Sequence, residues 1–540
     1  MSRFLPTNSP PLRQKILLYG MPFLAIVVAG VFIVNVVVNA IGLRGSDQYW
    51  YVGYMPMLEA TGLPVTNAIY PSAALLFSPD VLPPRMHNIP VTYLVGWVHG
   101  AGFTDYQAWV LVDAVFAFVI AAGLYLIAKK MGLKFPILSS IFFLSFPFTL
   151  WFTLNALAEM SLALGSILLL FGTILVTRLR RTPRQVALIS LFCVASGTVL
   201  MIYTRDNYFL LIPAQIYFAI WACRKLGVRW FWALPSLGFT GVLVGVKSLI
   251  LPSYPHAGPI SQLMAGTRSE PGQMTSYYNL DQSDFSLGEF VEKAMAGLLA
   301  GVLPSSVSEV ITESFILAIA IISIFVWRGR DGSKMIIFWS SVVLAIYLAT
   351  SAAFQAQNRY IFALVPFVAV LSVDLLGRVW SWSERNKKAV RLGFRTFAFA
   401  TLLSIVVLNV ASTLTAHSYS LNARVSMAEN NALSSQMRLE PSGSILTLSE
   451  GAEAIPFTYS AVPRPVLAVN PRITSERAVA DMIVKWEVRV LVGDDEKDFA
   501  YLSRAVKLAY GNGAILIAQP KIEGVNKFAH FWTVDTVINH

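Results

Sequence analysis

Seven side chains in this sequence could act on a charged or hydroxyl-bearing molecule, and each borders or interrupts an apolar run: Asp47, His87, Glu159, Arg205, Asp206, Arg359 and Tyr360. Asp47 stands in Arg44-Gly-Ser-Asp-Gln-Tyr-Trp-Tyr51. The segment that follows, Tyr51 to Gly62, reads as an interfacial helix closed by glycine. A carboxylate fixed at a helix start can serve as a general base towards a hydroxyl. The plain alternative is an ordinary carboxylate at a membrane surface.

Arg205 stands in Tyr203-Thr-Arg-Asp-Asn-Tyr208, the whole connection between two apolar runs, and Arg359 has the same kind of address in Gln355-Ala-Gln-Asn-Arg-Tyr360. A guanidinium forms bidentate hydrogen bonds to phosphate oxygens. Two arginines at such turns therefore favour an anionic ligand over the simpler reading, a snorkelling arginine paired with Asp206. Glu159, in Asn155-Ala-Leu-Ala-Glu-Met160, lies where an ionisable group must face the protein interior or a wet cavity. It could orient a sugar hydroxyl, bind a metal or pair with an arginine, and pairing is the plainest of these. His87, in Arg85-Met-His-Asn-Ile-Pro90, has no partner at metal-ligand spacing.

The elements that carry these residues are membrane spans. The 540 residues are 56% hydrophobic and 13% charged, where a soluble domain carries about a quarter. Eleven apolar runs of spanning length fall near 16–40, 107–128, 135–151, 155–177, 186–203, 207–223, 231–250, 310–327, 335–353, 359–378 and 396–416. The formal net charge of +11 comes largely from short loops: Lys129, Lys130 and Lys134; Arg178, Arg180, Arg181 and Arg184; Arg224, Lys225 and Arg229; Arg328, Arg330 and Lys334; and Arg378 through Arg395. That is the positive-inside signal, and it implies no nucleic-acid partner. It sets the amino terminus in the cytoplasm, with Asp47, His87, Glu159, Arg205, Asp206 and Arg359 on the outer face. The first run is longer than a signal-peptide core and reads as an uncleaved span.

Two outer loops are long, 41–106 and 251–309. The first has the aromatic residues Tyr49, Trp50, Tyr51 and Tyr54 and the prolines Pro83, Pro84 and Pro90, which suit short helices in the interface. Past residue 416 the composition becomes that of a soluble domain. Ile445–Leu448, Val466–Val469, Val488–Val492 and Ala514–Ala518 read as buried strands, with helices at Ser475–Trp486 and Lys497–Leu508. The expected organisation is a membrane domain over 1–416 and an extracytoplasmic α/β domain over 417–540. Neither Cys193 nor Cys223 is placed for a disulfide on the outer face.

In this arrangement the chain resembles the GT-C superfamily of polytopic membrane glycosyltransferases, the group of protein O-mannosyltransferases, lipid A aminoarabinose transferases and arabinosyltransferases. The resemblance is carried by a first-loop aspartate before a tyrosine-rich helix and glycine (Asp47, Tyr51, Gly62) and by a His-Asn-Ile-Pro stretch where relatives often have a basic-Pro-Pro motif. It continues with an acid in the fourth span (Glu159), an arginine after the fifth (Arg205), and Arg359-Tyr360 opening a late span that runs on to Pro366. It implies transfer of a sugar from a polyprenyl-phosphate donor to a hydroxyl acceptor (glycan, lipid or protein) on the outer face of the cytoplasmic membrane. Asp47 would be the base, and Arg205 and Arg359 would hold the donor phosphate. His87, Glu159, Asp206 and Tyr360 would bind or orient substrate. Asp47 is followed by Gln48 where many relatives have a second acid, and the basic-Pro-Pro stretch lacks its first proline, so acceptor class and a divalent metal stay open.

Two readings compete, the first of them from another class. One is a transporter or flippase for a lipid-linked or anionic substrate, although transporters place such groups at the midplane between paired repeats, and no repeat is present. The other is an envelope polysaccharide polymerase or ligase. A scaffold anchored by its spans would not need eleven of them.

Overall fold

The computed structural model describes residues 20–43, most of 52–82, 89–156, 158–178, 182–250, 331–353, 358–385, 407–414 with parts of 416–437, 442–448, 461–469, 474–493, 497–519 and 530–536, and a few positions near 288–295. Its helices are α1 Met21–Asn39, α2 Tyr54–Thr61, α3 Ile89–His99, α4 Asp105–Lys130, α5 Ile137–Ser145, α6 Pro147–Leu154, α7 Glu159–Arg178, α8 Pro183–Thr204, α9 Leu211–Leu226, α10 Leu234–Ile250, α11 Asp331–Ala353, α12 Val365–Arg385, α13 Glu476–Lys485 and α14 Lys497–Tyr510. Three short 3-10 helices, Asp206–Leu210, Trp230–Ala233 and Asn358–Leu364, precede α9, α10 and α12. The strands are β1 Ala68–Ile69, β2 Ser444–Leu448, β3 Val466–Val469, β4 Val488–Gly493, β5 Ala514–Ala518 and β6 His530–Thr536.

Among the described residues six helical segments are long and apolar enough to cross a membrane, and α5 with α6 makes a seventh if that bent pair is one span. Against eleven expected runs, 231–250 and 335–353 are helices, α10 and α11, below that measure. Run 310–327 and most of 396–416 lie outside the described residues. The run at 135–151 is not one straight helix: α5 and α6 meet at 58°. Phe146 has extended backbone, φ −64° and ψ 126°, because Pro147 disfavours the helical region for the residue before it.

Local sequence sets the helix ends. Thr104 and Gln107 form a reciprocal capping box at the start of α4, each side chain accepting from the other's backbone N–H at 3.3 Å. Pro183 opens α8, where a missing N–H costs nothing. Gly62 closes the expected interfacial helix α2 in the left-handed region, φ +71°. α7 and α8 pack most closely. A Cβ on Gly172 would lie 2.7 Å from the Ser190 carbonyl oxygen, and one on Gly197 would lie 2.7 Å from that of Gly165. Small residues let the two backbones approach, as membrane helices without a hydrophobic drive between them require.

The six-stranded sheet has the order β1-β3-β2-β4-β6-β5. β1, β3, β2 and β4 are parallel, and β6 and β5 join antiparallel. The four strands read from the sequence are all present. β6 and β1 were not anticipated, and β1 belongs to the first long loop. Ala68 and Ile69 pair with Val466 and Leu467, the Asn67 side chain donates to the Arg464 carbonyl at 3.1 Å, and Ile69 and Ala74 are buried among Leu446, Leu467 and Trp486. The first loop and the tail therefore share one end of the helix bundle.

Candidate active site at the sheet end of the bundle

α1 leads towards the sheet end and α4 leads away from it, so the helices that follow alternate in direction. This puts the start of α7, the end of α8, the end of α11 and the start of the α12 segment at that end. The helix termini carrying Lys129, Lys130, Arg224 and Lys225 lie at the other.

Glu159 is the first residue of α7 and is fully buried. It follows a second break in the apolar sequence, where Ala156 adopts φ +50°. Arg205 ends α8 in extended conformation, φ −150° and ψ 129°. Its Nη2 donates to Glu159 Oε1 at 2.7 Å. A carboxylate at a helix N-terminus and a cation at a helix C-terminus are each favoured by the helix dipole. An Arg205 partner found here is thus Glu159 on a neighbouring helix. The backbone of Asp206 opens a 3-10 turn, and its side chain lies outside the described residues.

Three hydrogen bonds gather other elements around this pair. Asn207 Nδ2 donates to Thr350 Oγ1 at 3.1 Å, holding the Arg205 turn against the end of α11. Tyr106 O–H donates to the Leu154 carbonyl at 2.8 Å, holding the start of α4 against the chain just before Glu159. Ser166 Oγ donates to the Ala363 carbonyl at 2.8 Å, fixing α7 against the 3-10 helix Asn358–Leu364. Both segments run away from the sheet end. Counting back from that last bond gives about 10 Å along α7 to Glu159 and about 8 Å along the 3-10 helix to Arg359. The backbone of Arg359 and Tyr360 is therefore near the level of Glu159. Their side chains, like Asp47 and His87, lie outside the described residues.

Two groups here were not anticipated. Lys247 Nζ donates to the Ile202 carbonyl at 2.6 Å and sits 5.6 Å from the centre of the Tyr203 ring. It caps the last turn of α8, a structural use of a cation in a span. Asp113, in α4, is 1% exposed, and neither of its carboxylate oxygens has a hydrogen-bond partner among the described residues. A lone aspartate inside an apolar run was the available signal.

Among the described residues no three His, Cys, Asp or Glu side chains are placed to hold a metal. Glu159 is engaged by Arg205 and Asp113 is enclosed in the bundle, so this donor set does not fit a divalent cation.

No family model matches the sequence, and no curated protein matches it. Solved structures do. The Archaeoglobus fulgidus oligosaccharyltransferase in complex with Zn and sulfate is similar with a TM-score of 0.54 at 14% identity, over 90% of this chain and 70% of that one. The same enzyme tethered to an acceptor peptide containing the NVT sequon gives 0.54 at 12%, over 96% and 74%. ArnT from Cupriavidus metallidurans bound to undecaprenyl phosphate gives 0.54 at 14%, over 96% of this chain and 98% of that one. At these identities the likeness is one of architecture, and both proteins are GT-C glycosyltransferases. The chain has the GT-C fold.

Proposed function

We propose that this protein is a membrane glycosyltransferase that moves a sugar from a polyprenyl-phosphate-linked donor to a hydroxyl acceptor on the outer face of the cytoplasmic membrane. The observation that carries the reading is the convergence around Arg205: its bond to Glu159, and the Ser166–Ala363 bond that brings the Arg359 backbone to the same level. This occurs in a fold shared with glycosyltransferases whose structures hold undecaprenyl phosphate or an acceptor peptide.

In the proposed reaction the acceptor oxygen attacks the anomeric carbon while Asp47 takes its proton. The bond from that carbon to the phosphate oxygen breaks, and its electron pair stays on the phosphate. Arg205 and Arg359 neutralise the charge that develops there, which is where fixed cations lower a barrier most. His87, Asp206 and Tyr360 contribute to binding and orientation. Glu159 orients Arg205. A divalent cation would need ligands from beyond the described residues.

The proposed organisation is a membrane domain over 1–416 and a soluble α/β domain over 417–540, with residues 68–69 added to the latter's sheet. Basic helix termini at the end opposite the sheet support a cytoplasmic amino terminus and an extracytoplasmic tail. The test is transfer from a defined prenyl-phosphate sugar by the purified protein. Asp47→Asn is expected to abolish transfer while donor binding persists, and Arg205→Ala to weaken donor binding. Full transfer by Asp47→Asn contradicts the assignment. Movement of the lipid across a bilayer with no glycosidic bond formed points to a transporter instead.

A further inference from the structure

At the end of the bundle away from the sheet, α8, α9 and α10 meet at one short element, the 3-10 helix Trp230–Ala233, which packs against all three. α8 opens there on Pro183 and Arg184. α9 ends there on Arg224 and Lys225, and Gly227, at φ +65°, turns the chain so that Arg229 leads into Trp230, Phe231 and Trp232. All four cations are exposed. The sequence supplies no acid to balance them: there is no Asp or Glu from 160 to 205 or from 207 to 269, a stretch that holds all three helices. The guanidinium groups of Arg184, Arg224 and Arg229 have no ion-pair or hydrogen-bond partner among the described residues.

Arg184 is nonetheless held in place. Its Cζ lies 5.8 Å from the centre of the Trp232 ring, and Phe231 stacks beside Trp232 with the ring centres 5.8 Å apart. A guanidinium over an aromatic face is attracted by the ring quadrupole. Its five N–H donors lie in the plane of the group, so this contact leaves the fork open to phosphate oxygens. Trp230, next in the chain, is 70% exposed. In a chain that crosses a membrane, an exposed tryptophan at a helix end belongs where hydrocarbon meets headgroups. The arginines beside it are then level with lipid phosphates. The basic end of α4 differs, since Lys129 and Lys130 offer flexible ammonium groups that meet phosphate as point charges.

We propose that this junction binds the headgroup of an anionic phospholipid. Arg184, Arg224 and Arg229 hold its phosphate, and the exposed rings of Trp230 and Phe231 lie against the apolar part of the same lipid. The site is separate from the Glu159–Arg205 pair, which lies at the sheet end of the bundle.

The test uses the full chain in neutral detergent, titrated with fluorescently labelled phosphatidylglycerol and, for comparison, phosphatidylcholine. Wild type is expected to prefer phosphatidylglycerol by about tenfold or more. One cation near an anionic lipid surface strengthens binding about fivefold, so Arg184→Gln/Arg224→Gln should weaken phosphatidylglycerol binding by about tenfold or more. Both side chains are exposed, and the variant should melt as wild type does. Arg184→Lys, which keeps the charge without the planar fork, should also bind more weakly than wild type. Lys129→Gln/Lys130→Gln removes equal charge from the end of α4 and should bind like wild type. Glycerol 3-phosphate in millimolar excess should not displace the lipid. Equal affinity of wild type for the two lipids, or wild-type affinity in Arg184→Gln/Arg224→Gln, overturns the proposal. Equal loss in the two double variants also overturns it, because diffuse positive charge would then account for the binding. Displacement by glycerol 3-phosphate overturns it in favour of a site for a free phosphate ester.

Discussion

Arg205 and Glu159 are 46 positions apart in sequence, yet guanidinium and carboxylate meet at 2.7 Å with the acid fully buried. Removing one member of such a pair costs about 3–5 kcal/mol, while replacing both with apolar groups can be neutral. Arg205→Ala, which takes this guanidinium from a buried carboxylate, should lower the melting temperature more than Glu159→Gln. The double variant Glu159→Leu/Arg205→Met should recover much of that loss and bind no anion. Thermal melts in detergent decide; a double variant as unstable as Arg205→Ala would mean that packing rather than charge governs the site.

Ala156 holds φ +50° while fully buried, three residues before Glu159, which opens α7. Left-handed backbone costs a residue with a Cβ about 1–2 kcal/mol. A glycine would relieve that but lose about 0.8 kcal/mol of methyl burial and some chain entropy. Ala156→Gly should therefore melt close to wild type. Ala156→Val, β-branched and larger, should be destabilised by more than about 2 kcal/mol. Equal stability of the Val and Gly variants would show that the turn relaxes freely.

The sheet ties the tail to the first loop. Ile69 is fully buried in the tail's core, and Lys485 Nζ and Trp486 Nε1 both donate to the Ala74 carbonyl, at 2.7 and 3.2 Å. Ile69→Asp should expose that edge of the sheet, measured as faster hydrogen exchange at the amides of Val466–Val469. Unchanged protection would mean that β1 is dispensable to the sheet.

Much of this architecture was legible in the sequence, because apolar length and period are local properties. The six long helices, the Gly62 cap and four of the strands follow from patterns within twenty residues. The break between α5 and α6 was readable in Phe146-Pro147 but is masked by an unbroken apolar run. β1 was not readable: Ala68–Ile69 is two residues long and becomes a strand only by pairing with Val466–Leu467, some four hundred positions away. The site divides in the same way. Arg205 and Glu159 stood out as charges in apolar surroundings, while their pairing depends on how closely α7 and α8 pack. Asp113 carried the same signal but lay deep in a run that otherwise read as packing.

Tyr501 in the tail offers a check at high pH. Burial first, then the neighbouring Glu476 carboxylate, pushes its phenol up to about 12, and its O–H donates to the Thr474 carbonyl at 2.6 Å. The folded state disfavours the phenolate, so this contribution to stability is whole below the unfolded value of about 10. It is lost as pH rises towards 12. The ultraviolet difference spectrum between wild type and Tyr501→Phe should titrate near 12. A midpoint near 10 would mean that the group is solvated.

The most direct test of the central claim is a density map of the chain with a prenyl phosphate bound. The account predicts the phosphate between the Arg205 and Arg359 side chains at the sheet end of the bundle, with the Asp47 carboxylate facing the open side where an acceptor hydroxyl would enter. A phosphate bound elsewhere, with Arg205 still closed on Glu159 and Asp47 remote from both arginines, would contradict it.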